Sequence, residues 1–177
     1  MRIFGGKWAG QSLSSPGPRV RPTREEVRGA WVSGLEPDLE DAKVLDLFAG
    51  TGALGLEALS RGAHSVDFVE NGAPALHALK ANLARFRVKN RTRLFKKDVF
   101  LFLETIETPS YDLVFADPPY ASRAAERLVD IWLKRPFTRI LSVEHSAERK
   151  LPGQGKKRVF GDSAVTTYRM RRGNHGP

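Results

Sequence analysis

From residue 43 onward, short runs of apolar residues alternate with amphipathic segments of helical periodicity. The apolar runs have the length of strands, and the segments between them place apolar residues on one face of a helix. Such an alternation is typical of a parallel sheet covered on both sides. The predicted strands are residues 44–48, 65–70, 92–96, 111–116 and 139–144, and the predicted helices are residues 53–61, 73–86, 99–105 and 123–134.

The pattern changes at both ends of the chain. Residues 156–160 and 164–171 carry β-branched and aromatic residues around Gly161-Asp162, which is a hairpin turn signal. The first 22 residues contain seven Gly and Pro residues, so they can form a short hairpin or an extended arm but no long helix. A helix then begins at Thr23, which forms a predicted capping box with Glu26.

These elements predict an α/β fold of one domain. We expect a mostly parallel, doubly wound seven-stranded sheet that a C-terminal antiparallel hairpin completes. Residues 1–40 would form a small N-terminal extension of a hairpin and a helix, residues 41–173 the main domain, and residues 174–177 a tail. A chain of 177 residues with 41% hydrophobic residues is large enough for one ordinary core.

Composition narrows the class of protein. The chain has 29 Lys and Arg against 20 Asp and Glu, a net charge of +9, which favours a polyanionic partner such as nucleic acid, although a solvated basic surface would explain it too. No apolar run approaches the roughly 18 residues that cross a bilayer, and the N-terminus lacks a secretory signal, so we expect a cytoplasmic protein. The absence of cysteine excludes disulfides, thiolate metal sites and cysteine nucleophiles, and no metal is expected.

The first predicted strand runs into a glycine-rich loop, Asp46-Leu-Phe-Ala-Gly50-Thr-Gly52-Ala-Leu-Gly55. Glycines permit a tight turn and a close approach of the backbone to a ligand, and the carboxylate of Glu70, at the end of the second strand, can hold two ribose hydroxyls. A nicotinamide dinucleotide would satisfy the same pattern. Asp46 favours S-adenosylmethionine, because its negative charge suits an amino group and a sulfonium but opposes a pyrophosphate. The candidate cofactor-binding residues here are Asp46, Phe48, Gly50, Thr51, Gly52, Gly55 and Glu70.

A second motif, Asp117-Pro118-Pro119-Tyr120, follows the fourth predicted strand. Ligands of an open parallel sheet lie outside the carboxyl ends of the strands, so this motif and the glycine-rich loop should face one crevice. The Asp117 carboxylate and the Pro118 carbonyl can each accept one N–H of an amine, which aims the nitrogen lone pair at a methyl group. Tyr120 offers a face on which a flipped base can stack. Catalysis would be mainly positioning, with Asp117 as an acceptor rather than a strong base.

Both motifs resemble those of S-adenosylmethionine-dependent methyltransferases that act on exocyclic amines and amides. Asp98, at the end of the third predicted strand, is placed like the residue that meets the adenine amino group in such enzymes, with Val99 beside the ring. Alternatively, Asp98 caps the next helix. Asp98, Val99 and Asp117 therefore join the candidate cofactor-binding residues, and the candidate catalytic residues are Asp117, Pro118 and Tyr120.

Over nearly its whole length, the chain resembles the bacterial 16S ribosomal RNA guanine-N2 methyltransferases, which modify a single guanine of the small subunit. The segments that carry the resemblance are Arg2-Ile3, Gly5-Gly6, Gly10, Arg21-Pro22-Thr23, Val27-Arg28, the glycine-rich loop, Glu70, Asp98 and the D-P-P-Y motif. The resemblance implies a Rossmann-like class I methyltransferase that uses S-adenosylmethionine. It also implies that the N-terminal hairpin and first helix flank the active site, and that the substrate is 16S ribosomal RNA in an assembling small subunit. We expect the protein to act as a monomer.

The N-terminal extension is the candidate RNA-binding surface. It is too short for the separate base-reading domain of a sequence-specific DNA enzyme, which favours recognition of RNA shape and phosphate. An ordinary turn and helix cap explain Arg21 and Thr23 equally well. The candidate substrate-binding residues are Arg2, Lys7, Arg19, Arg21, Thr23 and Tyr120.

Two alternative functions stay open. A DNA adenine-N6 or protein glutamine methyltransferase would use the same pair of acceptors, although Asp117 in place of Asn and the basic surface count against glutamine. A non-catalytic RNA-binding assembly factor could also keep the cofactor pocket, although intact Asp117 and Tyr120 count against it. Three positions depart from the pattern of the family: Gln11, Gly29 and Gly72.

Overall fold

A computed structural model of the protein describes residues 1–17 and 25–171. The strands are β1 Lys43–Leu47, β2 Ser65–Val69, β3 Thr92–Phe95, β4 Tyr111–Ala116, β5 Thr138–Ser146, β6 Lys156–Phe160 and β7 Ser163–Arg169. The helices are α1 Glu25–Ser33, α2 Ala53–Ser60, α3 Ala73–Arg85, α4 Val99–Glu104 and α5 Ala124–Lys134. Within the part that the structure describes, no helix combines the length and the apolar composition that crossing a bilayer requires.

The seven strands form one sheet in the order β3-β2-β1-β4-β5-β7-β6. Strands β1 to β5 pair in parallel, and β7 pairs antiparallel with both β5 and β6. The predicted α/β fold, with its mostly parallel sheet and C-terminal hairpin, is therefore confirmed. The division into residues 1–40, 41–173 and 174–177 stays a prediction.

Alternating side chains of the buried strands supply two hydrophobic cores, one on each face of the sheet. Val44 and Leu113 point to the face that α1, α2, α3 and the N-terminal residues cover. Leu45 and Val114, the next residue of each strand, point to the face that α4 and α5 cover. Because successive side chains of a strand point to opposite faces, a continuous apolar run is what burial on both faces requires.

The N-terminal residues form the predicted hairpin. Arg2 pairs antiparallel with Ser12, and a 3₁₀ turn at Gly6–Trp8 lies at its tip. The carboxylate of Glu57 on α2, which is wholly buried, accepts the backbone N–H groups of Phe4 and Gly5 at 2.9 and 2.7 Å. This carboxylate fixes the hairpin against α2.

Helix α1 buries Trp31 and Val32 in the core. It also buries Arg28, although arginine is rarely buried unless it is paired. The guanidinium of Arg28 donates to the carbonyl of Arg2, and its Nε lies 3.6 Å from the Glu57 carboxylate. An isolated buried charge is very costly, so this pairing explains how α1 tolerates an arginine in the core. Thr23, the predicted helix cap, lies outside the described residues.

Candidate active site

The candidate site lies at the carboxyl ends of β2, β1 and β4, three neighbouring strands. Leu47, the last residue of β1, pairs with Val69 of β2 and with Ala116 of β4. Phe48, Glu70 and Asp117 each follow directly on one of these strands, so the glycine-rich loop and the D-P-P-Y motif meet at one edge. After β1 the chain continues to α2 on one face of the sheet, and after β4 it continues to α5 on the other face. This edge is therefore the switch point of the sheet, where ligands bind in open α/β folds.

Asp46 is the buried carboxylate of the site. Its Oδ2 accepts the backbone N–H of Gly55 at 2.9 Å, whereas its Oδ1 has no hydrogen-bond partner among the described residues. Burial raises the pKa of Asp46 well above its ordinary value, and the negative charges of Asp117 and Glu70 raise it further. A buried oxygen that lacks a donor costs free energy, and a cationic N–H donor would satisfy it.

Glu70 ties the end of β2 to the glycine-rich loop. Its Oε2 accepts the N–H of Gly50 at 2.8 Å, and its Oε1 accepts those of Asn71 and Gly72 at 2.9 and 2.8 Å. A carboxylate has about four acceptor positions, so Oε2 keeps a lone pair for one more donor. Glu70 can therefore hold one ribose hydroxyl without giving up its backbone contacts, whereas the two hydroxyls expected from the sequence would require one of those contacts to be released.

The three glycines of the loop face different surroundings. Gly50 has a left-handed backbone (φ +57°), and a Cβ there would meet no atom within 4 Å. At Gly52 (φ +80°) a Cβ would lie 2.3 Å from the Leu79 side chain, and at Gly55 it would lie 2.3 Å from the ring of Phe68. Gly50 thus leaves open space for a ligand. Gly52 lets the loop pack closely against α3, and Gly55 lets α2 pack closely against β2. A place for the latter two in cofactor binding stays a prediction.

S-adenosylmethionine matches what these residues offer. Its amino group is a cationic donor for the orphaned Oδ1 of Asp46, its ribose hydroxyl is a donor for Glu70, and Gly50 leaves room beside the loop. A pyrophosphate would instead bring negative charge to Asp46, where the negative charges of Asp117 and Glu70 already act. The donors and acceptors of this site therefore favour S-adenosylmethionine over a dinucleotide.

The remaining candidate cofactor residues have local structural contacts. Phe48 is a non-glycine residue in the left-handed region (φ +55°), a strained conformation of the kind found at functional sites. The Asp98 Oδ1 caps α4 by accepting the N–H groups of Phe100 and Leu101 at 2.9 and 3.1 Å. The side chain of Val99 is buried in the core beneath α4. Capping and packing explain Asp98 and Val99 as they stand, so their cofactor contacts stay predictions.

Thr51 connects the glycine-rich loop to the N-terminal hairpin. Its hydroxyl donates to the sulfur of Met1 at 3.7 Å, and its carbonyl accepts from Nδ2 of Asn82 at 2.9 Å. Asn82, on α3, is fully buried and also bonds both the N–H and the carbonyl of Ser14. The sequence pattern contains no signal for this role of Asn82 except that an amide stands on the apolar face of a predicted helix.

The D-P-P-Y motif follows β4, and one of its two prolyl carbonyls accepts hydrogen bonds. The carbonyl of Pro119 accepts from the N and Oγ of Ser122 at 3.2 and 2.8 Å. Among the described residues, no hydrogen bond reaches the carbonyl of Pro118. Asp117 is half-buried and Tyr120 is 36% exposed, so an incoming group can reach both side chains.

The N-terminal hairpin lies along α2 and α3, which corrects one expectation. Its base, with Arg2, is next to Met1 and hence to Thr51. Its tip packs against the other ends of these helices, where the N–H of Trp8 bonds Ser60 and its ring centroid lies 4.7 Å from that of Phe86. Lys7 belongs to that tip and lies over the Trp8 ring, so its placement beside the pocket is wrong. The hairpin runs down the helices, and only its base reaches the site. Arg19, Arg21 and Thr23 lie outside the described residues.

The substitution Asp46→Asn should stabilise the ligand-free protein at neutral pH and weaken cofactor binding. Because the pKa of Asp46 is raised in the folded state, the folded protein binds this proton more tightly than the unfolded chain, and stability falls as pH rises between the two pKa values. Asparagine removes that fall and also removes the charge that a cationic amino group would pair with. Thermal melts over a pH series and calorimetry with S-adenosylmethionine measure both effects.

Asp130→Asn is the matched control, because Asp130 is an exposed carboxylate on α5. It should leave cofactor affinity unchanged. Unchanged cofactor affinity in Asp46→Asn would show that the orphaned oxygen does not serve the ligand.

Comparison with known proteins gives a match over almost the whole chain. The family model "Conserved hypothetical protein 95" matches residues 1–168. The Ribosomal RNA small subunit methyltransferase D of Escherichia coli K12 is 37% identical over 158 residues, which cover 86% of this chain and 78% of that protein.

Solved structures share the fold. A hypothetical protein from Thermus thermophilus superimposes with a TM-score of 0.82 at 29% identity, covering 96% of this chain and 99% of that one. A more distant structure, described as a methyltransferase complexed with S-adenosylhomocysteine, superimposes with a TM-score of 0.61 at 16% identity. The match covers 84% of this chain and 49% of that one. At that identity the likeness concerns the fold alone.

Proposed function

We propose a function on one premise: this chain belongs to the Conserved hypothetical protein 95 family of S-adenosylmethionine-dependent methyltransferases. In this proposal, its substrate is the RNA of the small ribosomal subunit. The reaction we propose is methylation of the exocyclic N2 amine of one guanine in 16S ribosomal RNA. The name of the Escherichia coli relative supports the choice of RNA. The net charge of +9 and the short N-terminal extension are consistent with a substrate recognised through phosphate and shape.

The observation that carries this proposal is the meeting of two motifs at one switch point. Asp46 and Glu70 offer acceptors for a cationic nucleoside, and Gly50 leaves space for it. Asp117 and Tyr120 follow the neighbouring strand, with a half-buried carboxylate and an exposed aromatic ring. The side that would hold the methyl donor thus adjoins the side that would hold an amine.

The acceptors of the D-P-P-Y motif account for the choice of an amine. The lone pair of an exocyclic amine is delocalised into the ring, which makes the nitrogen a weak nucleophile. The Asp117 carboxylate and the Pro118 carbonyl would each accept one N–H of this amine and turn its lone pair out of the ring plane. S-adenosylmethionine supplies an electrophilic methyl group when bound. The chain's own contribution is then positioning, which can supply a large part of a rate enhancement.

Tyr120 would receive the base itself. A base must leave its stack before its amine can reach a buried acceptor, and an aromatic ring compensates for the lost stacking. Guanine N2 and adenine N6 would satisfy the same two acceptors, so the preference for guanine rests on the resemblance to the 16S ribosomal RNA guanine-N2 methyltransferases.

An assembled or partly assembled small subunit should be methylated much faster than naked DNA or a short RNA oligonucleotide. With so few side chains outside the cofactor domain, selectivity has to come from a preformed RNA shape that presents one splayed base. Transfer of labelled methyl groups to each substrate measures the preference. Equal methylation of adenine-containing DNA would favour the adenine-N6 alternative, and no transfer to any substrate would favour a non-catalytic assembly factor.

Charge-neutralising variants, assayed for RNA binding, compare the predicted RNA-binding arginines with basic residues at the hairpin tip and on α3. Neutralising Arg2, Arg19 and Arg21 should weaken RNA binding and flatten its salt dependence, by about 0.7 to 0.9 in slope for each phosphate that is no longer neutralised. The control neutralises Lys7, Lys80 and Arg85, which are exposed and lie at the hairpin tip and on α3. An equal loss in both sets would show that Arg2, Arg19 and Arg21 do not mark the surface that binds RNA.

A further inference from the structure

A buried carboxylate on the neighbouring strand holds the tyrosine of the D-P-P-Y motif. The hydroxyl of Tyr120 donates to Oε1 of Glu144 at 2.7 Å. Glu144 belongs to β5, which pairs with β4, and it is only 4% exposed. The aromatic ring of Tyr120 thus reaches solvent, while its hydroxyl is anchored beneath the surface.

The surroundings of this bond restrict the turn that carries Tyr120. Arg149, which follows β5, donates to the carbonyl of Ser122 at 2.6 Å and pairs with Glu126 of α5 at 3.1 Å. The space between the turn and β5 is too narrow to admit a water molecule. The residues that line it are Pro118, Pro119, Tyr120, Ala125, Glu144, His145, Ser146 and Arg149. The turn is therefore held at two points, Ser122 by Arg149 and Tyr120 by Glu144.

We infer that Glu144 is a positioning residue, which orients the ring of Tyr120 to receive the target base. The inference rests on the proposed function, because it assumes that a base stacks on this ring. A tyrosine side chain at the surface has two rotatable bonds, and a hydrogen bond at its far end fixes both. With the ring fixed before the base arrives, less conformational entropy is lost when the base stacks.

The tyrosine hydroxyl serves this role as a permanent donor. Burial raises the pKa of Tyr120, and the hydrogen bond to Glu144 raises it further, so the hydroxyl keeps its proton throughout the working pH range. Phenylalanine at position 120 would keep the aromatic face but leave a buried carboxylate with one donor fewer. Retention of the ring is therefore insufficient, and the bond itself should matter for the rate.

A double-mutant cycle tests the role of Glu144. Glu144→Leu and Tyr120→Phe each remove the bond and should each lower kcat about 10- to 100-fold, as expected when one hydrogen bond to a charged group is lost. KM for small subunits should change much less, because phosphate contacts dominate RNA affinity. The double variant should be no slower than either single variant, because both substitutions remove the same bond. Glu144→Gln keeps an acceptor of the same shape and should retain most of the rate.

Controls separate positioning from stability. Glu148→Leu, an exposed glutamate four residues along the chain, should behave as the wild-type protein. Cofactor affinity should vary little across the series, and rates are compared at a temperature at which melting curves show every variant to be folded. Additive losses of rate in the double variant, or a Glu144→Gln variant as slow as Glu144→Leu, would overturn the inference.

The bond has a readout that does not depend on turnover. The NMR shift of the Tyr120 Cζ, assigned by its disappearance in Tyr120→Phe, should move in Glu144→Leu and move less in Glu144→Gln. An unchanged shift in Glu144→Leu would overturn the inference whatever the substrate is. The two failures are distinguishable. If the wild-type protein formed no N2-methylguanosine but the Tyr120 Cζ shift still moved in Glu144→Leu, the proposed function would be contradicted and the bond between Tyr120 and Glu144 would stand.

Discussion

Asp117→Ala is expected to slow methyl transfer about 100- to 1,000-fold, the cost of removing one preorganised group that contacts the reacting centre. Cofactor affinity should stay nearly the same. In the proposed function, Asp117 accepts an N–H of the target amine, whereas Asp46 and Glu70 provide the acceptors for the cofactor. Removing Asp117 therefore removes an acceptor for the substrate and leaves the acceptors for the cofactor in place.

Single-turnover rates and calorimetry with S-adenosylmethionine measure the two quantities separately. Asp112→Ala is the control on the same strand, because Asp112 lies at the opposite end of β4 and accepts the N–H of Lys43 at 2.9 Å. It should leave the rate of transfer unchanged. Normal turnover by Asp117→Ala would show that the amine does not depend on this carboxylate.

Gly50→Val should abolish cofactor binding, with a loss of at least about 100-fold in affinity. The valine side chain would fill the open space in which we propose that the cofactor binds, and a change of rotamer would not clear that space. The left-handed backbone at Gly50 also strains any β-branched residue, which lowers stability independently of the ligand. A matched glycine is therefore needed to separate the two effects.

Gly161 provides that match in the turn between β6 and β7. Its φ is +66° against +57° at Gly50, and a Cβ at either position meets no atom within 4 Å. Gly161→Val should lower the melting temperature by a similar amount and bind S-adenosylmethionine normally. If both variants bound the cofactor equally well, the open space beside Gly50 would not be the cofactor site.

The order of strands and helices was predictable because burial on both faces imposes a simple pattern. Each continuous apolar run marked a strand, and the switch point followed from a loop after the first strand and a motif after the fourth. Asp46, Glu70 and Asp117 were predictable as neighbours because parallel strands bring their carboxyl ends to one edge.

Contacts between distant elements were not predictable from one sequence. Glu144 bonds Tyr120 across 24 positions, and Asn82 bonds Ser14 across 68. Arg28 is buried because Glu57 pairs with it, and neither residue signals the other in the pattern. The course of the hairpin, which carries Lys7 away from the site, likewise depends on packing against α2 and α3.

Nucleoside mass spectrometry of 16S ribosomal RNA would decide whether guanine N2 receives the methyl group. Small subunits from cells that lack this protein would be incubated with the purified protein and labelled S-adenosylmethionine, and the RNA digested to nucleosides. We expect one labelled N2-methylguanosine for each subunit, and none when the Asp117→Ala variant replaces the wild type over the same interval. Label in N6-methyladenosine, or in ribosomal protein with none in the RNA, would contradict the proposed function.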